Sequence, residues 1–487
     1  MRKTMLTPNL PRFSLPKSAI DTKVGVRFVV TGVLHEDAWE GSCRVGDLKE
    51  LTYEAERAEL ERRLAALERE LESRNLPPEV ELIKPTSIYS WAEKGNPDIA
   101  VPNEQLEALQ QDDEKTDVYI VTHAHEGLKI AERYKKPVII MQKQGYAVDM
   151  PAAIRSMGVD SFHVEDLETV FDFVRLFAVK KAFKQTKLLS VTNFPKRVPW
   201  GVASSISDLD FIKDRYGMDY KYLDYKEFFG KMDRMTKERA VQDEANRIAR
   251  VLMDNATENN MTQEDIKYSV LFYLAALKIM SEYNCNAFTI ECFELCSSLN
   301  PWNRRFTPCL THALLKDGGY PSACEGDINA LLAMAVEMYL SRKAVYMGNP
   351  NIDKKNNILN IHHSVASLKM EGIDNIESSY QIHSFTKSGF GVTLRHDFNK
   401  DKGKVVTVGR FDPSGTKMLV TKGEVIGGGG LGGYGCSQNV DIKIPNGYEF
   451  WRESQNFGHH LALVFGDYVN QIRELGNLMN FDVVAIL

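Results

Sequence analysis

DVYIVTHAHEGLKIAERYKKPVIIM, residues 117 to 141, contains one full turn of this chain's architecture. Two short apolar runs, DVYIVTHA (117 to 124) and PVIIM (137 to 141), flank EGLKIAERY, which reads as a short crossover helix. Strands joined by a helix pair in parallel, and parallel strands are near-continuous apolar runs because helices cover both faces of their sheet. The segment therefore predicts an α/β domain.

The pattern extends in both directions. Upstream, KVGVRFVVTG (23 to 32) and VELIKP (80 to 85) read as further buried strands, with the charged helix LTYEAERAELERRLAALERELES (51 to 73) between them. Downstream, a second cycle starts at LLSVTN (188 to 193) and runs through a charged, helix-rich middle to AFTIECFEL (287 to 295). It takes in a helix after CEGD and the strand AVYMGNP (344 to 350). From about Asn356 the texture changes to alternating segments such as KVVTVGRFD and TKMLVTKGEVI, closed by a final helix and strand, VNQIRELGNLMNFDVVAIL. The expected fold is α/β: two Rossmann-like, flavodoxin-like parallel-sheet domains (1–182 and 183–355) and a β-rich, barrel-like C-terminal domain (356–487).

At 487 residues the chain is too long for one core, and its 43% hydrophobic and 26% charged residues are ordinary for a globular protein. The formal charge of −6 gives no general reason to expect a nucleic acid or membrane partner. The opening MRKTMLTPNLPRFSLPKSAI lacks the apolar run of a signal peptide, and no segment is apolar for the length of a membrane span, so the expected location is cytoplasmic. Seven cysteines at irregular spacing fit reduced thiols better than a disulfide framework.

Chemistry concentrates at PSACEGDINALLAM, residues 321 to 334. Asp327 precedes Ile328, Leu331, Leu332, Ala335, Val336 and Tyr339 at helical spacing, which makes it first of all an N-cap. Glu325 stands two residues earlier. Other metal-compatible side chains are Glu291 and Glu294 in TIECFEL, His362 and His363 in NIHHS, and His459, His460 and Asp467 in FGHHLALVFGD. Carboxylates with an imidazole make a hard site, better suited to Mn²⁺ or Mg²⁺ than to Zn²⁺. Each also has a plainer reading, as a cap, a solvated carboxylate or a hydrogen-bonded loop pair. Cys292, Cys296, Cys309 and Cys324 lack the two-residue spacing of a zinc knuckle and read as buried thiols. THAHEG puts His123 and His125 at the end of a parallel strand, where α/β sheets place ligand contacts, although a polar loop would look the same. The glycines of GGGGLGGYG (427 to 435) open no βαβ unit and read as a turn.

The order AFTIECFEL, LLKDGGYPSACEGDINALLAMAVEMYLSRKAVYMGNP, NNILNIHHSV, SFTKSGFGVTLRHDF, VVTVGRFDPSGTKMLVTKGEVI, FGHHLALVFGDY resembles the second and third domains of the L-fucose isomerase and L-arabinose isomerase superfamily. The resemblance runs from about Ala287 to the C-terminus and is closest to the L-fucose isomerase-like branch. It implies a metal-dependent aldose–ketose isomerase with Mn²⁺, or another divalent cation such as Mg²⁺ or Co²⁺. Carried over by position, the family's metal ligands fall on Glu294, Asp327 and His460, with His459 the alternative histidine. Glu294 and Asp327 would then move the proton from C2 to C1 of an open-chain sugar through an enediolate. Glu325, His362 and His459 would contact the substrate, and His363 replaces a family cysteine. Arg304 and Arg305, in NPWNRRF, could meet an anionic sugar substituent or simply be solvated.

The implied substrates are a pentose, a 6-deoxyhexose or a substituted hexose such as sulfoquinovose. The implied assembly is a homo-oligomer, trimer or hexamer, with active sites at subunit interfaces, where His123 or His125 would complete a neighbour's site. The alternatives are a non-catalytic sugar-binding or regulatory protein on the same fold and a two-lobed binding protein of periplasmic type. The missing signal peptide and the β-rich third domain speak against the last.

Overall fold

A computed structural model describes residues 6–10, 14–41, 44–96, 99–143, 145–296, 306–375 and 377–487, the side chains of 146 and 294 excepted. Asp21–Ala178 form one compact unit and the rest of the described chain another.

The first unit holds five parallel strands: β1 (Val24–His35), β2 (Val80–Ala92), β3 (Val118–Val121), β4 (Val138–Met141) and β5 (Ser161–Val164). Their spatial order, β2-β1-β3-β4-β5, is the flavodoxin-like order. β3 and β4 align at Tyr119↔Val138 and Val121↔Ile140, and the helix Ala124–Tyr134 crosses between them as the sequence predicts. It buries Ile130 and Ala131 against Val121, Val138 and Ile140. Burial of β1 from Val24 through Val30 explains its uninterrupted apolar run.

In the second unit β6 (Lys187–Val191), β7 (Asp219–Leu223), β9 (Ala287–Ile290) and β10 (Ser322–Ala323) make a parallel sheet in the order β10-β9-β6-β7. The short β8 (Glu258–Asn259) joins a separate small sheet described below. The next strands are β11 (Tyr346–Asp353), β12 (Ile358–His362), β13 (Gln381–Ser384), β14 (Val392–Arg395), β15 (Val405–Phe411), β16 (Lys417–Gly429), β17 (Asn439–Lys443), β18 (Leu461–Phe465) and β19 (Asp482–Ile486). β15, β18, β11, β12, β17 and β16 pair antiparallel in that order, and a β15–β16 ladder closes the ring into a barrel. β19 adds parallel to β16, and β8 pairs with β13 in the small sheet β14-β13-β8.

Tyr346, Leu359, Ile361, Val406, Val408, Leu463 and Ile442 fill the barrel. The strand AVYMGNP departs from its expected place. AVYMGNP does not extend the second parallel sheet: its residues from Tyr346 on open the barrel, pairing antiparallel with β12 and β18. Tyr346 and Met347 are fully buried on a strand with neighbours on both sides, which mimics a parallel strand.

The helix Ile328–Ser341 lies between the parallel sheet and the barrel, packed on β10, β15 and β18. It is buried from Ile328 to Leu340, and Arg342 ends it in the left-handed conformation. Its N-terminus thus lies where the C-terminal ends of β9 and β10 face the barrel, the edge at which α/β sheets bind ligands.

Candidate active site

Asp327 caps this helix, accepting the Ala330 N–H on Oδ1 at 3.0 Å. Its Oδ2 accepts from Arg410 Nη1 at 2.7 Å and faces His460 Nδ1 at 3.0 Å. Arg410, Asp327 and His460 are all fully buried. Burial alone would raise the Asp327 carboxyl, but the Arg410 guanidinium and the His460 imidazole outweigh it and hold the group well below the usual carboxylate range. Arg410 is held by three more contacts: Nη1 also reaches the His460 carbonyl at 2.9 Å, Nε the Phe457 carbonyl at 2.6 Å and Nη2 the Ser204 hydroxyl at 3.0 Å.

Glu325 is held differently. It follows β10 in the left-handed region, φ 60°, and His460 just before β18 has φ 64°. Such backbone at non-glycine residues costs energy and persists where the surroundings impose it. Glu325 Oε1 lies 3.5 Å from His363 Nε2 and 3.7 Å from His460 Nε2. The buried His460 Nε2 and both ring nitrogens of His363 have no hydrogen-bond partner among the described residues. Ligand atoms of Glu325, His459 and His460 lie within 4.8 Å of one another, as do those of Cys324, Glu325 and His363. Burial, then the neighbouring His460, holds His459 down to about 4, so its ring is neutral at physiological pH.

Close backbone approach shapes the surroundings of Glu325. A Cβ on Gly201 would stand 2.9 Å from Glu325 Oε2, and one on Gly326, at φ +71°, would stand 2.8 Å from Pro199. Beside Gly201, Trp200 is 81% exposed and packs on Phe293, 52% exposed, with ring centroids 4.7 Å apart. Glu291, after β9, accepts the Thr192 hydroxyl at 2.7 Å.

Of the residues singled out in the sequence, Asp327, Glu325, His459 and His460 come together. Asp327 is committed to the cap, to Arg410 and to His460. His362 is half-buried and pairs with Asn349 on β11, whereas His363 turns inward, because Leu359, Ile361 and His363 share one face of the strand path. The Glu294 side chain, Arg304 and Arg305 lie outside the described residues. His123 and His125 follow β3 in the first unit, where His123 Nδ1 lies 2.8 Å from the buried Glu126. Asp467 pairs with Lys422 at the surface, 2.9 Å apart. Sequence reasoning missed Arg410. Its signal was parity: Val406, Val408 and Arg410 share the inward face of β15, and an inward-pointing charge needs a buried partner.

No family model matches the chain. Among curated proteins it is similar to sugar isomerases, a class of intramolecular oxidoreductases, and these likenesses support an isomerase. The sulfoquinovose isomerase of Alkalicoccus urumqiensis is 26% identical over 322 residues, covering 64% of this chain and 68% of the relative. Those of Priestia aryabhattai and Priestia megaterium are 23% identical over 317 residues, covering 63% of this chain and 66% of theirs. Among the described residues no helix is long and apolar enough to cross a membrane.

Proposed function

We propose that this chain is an aldose–ketose isomerase whose site is centred on Glu325, acting on an open-chain sugar, with a sulfonated hexose of the sulfoquinovose type as the favoured substrate. The observation that carries the reading is the convergence of Glu325 with His363, His459 and His460 at the rim of the parallel sheet. The names of the similar proteins support the sulfonated sugar and the isomerase reaction, and the resemblance of the motif order to the L-fucose and L-arabinose isomerase superfamily agrees with that reaction type.

A divalent cation such as Mn²⁺ fits these residues, because unpartnered buried imidazole nitrogens beside a carboxylate form a ready ligand set. Glu325, His459 and His460 would hold it, with His363 adjoining. Bound there, the ion would polarise the sugar's C1 and C2 oxygens and acidify the C2 hydrogen. Asp327, through His460 Nδ1, fixes the tautomer that leaves Nε2 free to bind, as carboxylates behind ligand histidines do. Glu325 takes the C2 proton and returns it at C1, because Asp327 is pinned by Arg410. Trp200 and Phe293 offer an apolar face to the sugar's C–H groups.

Mn²⁺ titration of the chelator-stripped protein tests the ligand set. Glu325→Gln should lose both the ion and ketose formation; an unchanged binding isotherm in that variant would rule the set out.

A further inference from the structure

Behind Glu325 lies a pair of thiols that the proposed reaction does not use. Cys292 leaves the end of β9 and Cys324 the end of β10, adjacent parallel strands in register at Thr289↔Ala323. The register brings their sulfurs to 3.2 Å, and each residue is 3% exposed. A disulfide needs about 2.05 Å between sulfurs, so closing this pair takes a movement of about 1.2 Å. Cys324 is bonded directly to Glu325, whose left-handed backbone leaves little slack to absorb such a movement.

We propose that Cys292 and Cys324 are a redox site: hydrogen peroxide joins them in a reversible disulfide that draws Glu325 out of position and switches the site off. One sulfur attacks the peroxide O–O bond, giving a sulfenic acid and one water; the second sulfur displaces the sulfenic hydroxyl, which leaves as the second water. Two S–H bonds and one O–O bond break while one S–S and two O–H bonds form. The sulfurs together lose two electrons and the peroxide oxygens gain them. Peroxide is small and uncharged, and Glu325, next to Cys324 in the chain, keeps its side chain 13% exposed. The bridge itself is independent of the isomerase reading; only its effect on turnover rests on that reading.

The test uses the reduced full-length chain, exposed to graded hydrogen peroxide and mapped by mass spectrometry without reduction. The expected product is a Cys292–Cys324 cross-linked peptide, lighter by two hydrogens, that a dithiol reductant reverts. Cys292 and Cys324 that both remain free to alkylate, a bridge made to Cys296 instead, or irreversible oxygen addition would each overturn the site. On bridging, turnover should fall by on the order of a hundredfold, the cost of an ångström-scale misplacement of a reacting group, and return on reduction. Full turnover in the bridged protein would overturn the switch, while Cys292→Ser should keep its turnover through the same peroxide treatment. The wild-type cross-link needs no variant, so a Cys292→Ser protein that failed to fold would leave that arm decisive.

Discussion

Replacing Asp327 by Asn removes one charge and almost no volume, and the structure sets the size of the effect. The amide can still accept the Ala330 N–H and keep the cap, worth about 1 kcal/mol. It cannot replace the charge facing Arg410, whose other partners are the carbonyls of Phe457 and His460 and the Ser204 hydroxyl, all neutral. A fully buried guanidinium left without its counter-ion costs about 3–5 kcal/mol. Urea unfolding followed by far-UV circular dichroism should therefore show a much lower midpoint, and turnover should fall with the loss of His460's orienting partner. Adding Arg410→Met, which removes the second charge, should recover most of the lost stability, because a buried pair replaced whole is close to neutral. An Asp327→Asn protein that unfolds at the wild-type midpoint would refute the buried-pair account. The pH dependence has a fixed sign. The folded Asp327 carboxyl titrates below its unfolded value, so the pair stabilises fully above that value, and the contribution is lost as pH falls from about 4 toward the folded pKa.

Glu325→Gln should leave the unfolding free energy from urea titration within about 1 kcal/mol of wild type, because among the described residues the approaches to this carboxylate are the long ones of His363 and His460, while turnover falls by roughly 10²–10⁴-fold or more. Gly326→Ala forces a Cβ to 2.8 Å from Pro199 at φ +71° and should cost at least about 1–2 kcal/mol, read as a lowered melting temperature. Glu337, buried in the helix Ile328–Ser341 with neither oxygen hydrogen-bonded among the described residues and Oε1 over Gly409, has its carboxyl pushed well up by burial. Its raised folded pKa means that the Glu337 contribution to stability, fully present below about pH 4, declines as pH rises toward that value. Glu337→Met should abolish that slope and gain about 1–3 kcal/mol at pH 8.

The parallel sheets were legible because burial on both faces writes an apolar run directly into the sequence, as in DVYIVTHA and PVIIM. AVYMGNP misled for the same reason, since a barrel strand buried between two neighbouring strands is equally apolar. In the site, the Asp327 cap was visible from the helical spacing that follows it. The division of labour between Asp327 and Glu325 was not, because it depends on Arg410, distant in the chain and brought to Asp327 only by the barrel. The left-handed backbone at Glu325 and His460 also has no sequence signature, as neither residue type announces a positive φ. The choice of His363 over His362 was within reach, from the alternation of Leu359 and Ile361.

The most direct measurement is ketose formation by the purified chain, stripped with chelator and restored with Mn²⁺, from sulfoquinovose, L-fucose, D-arabinose and L-arabinose, beside the Glu325→Gln variant. The account predicts a ketose that appears from at least one aldose only with the ion restored and disappears in the variant. Ketose formed at the same rate without the ion, or by Glu325→Gln, would contradict it.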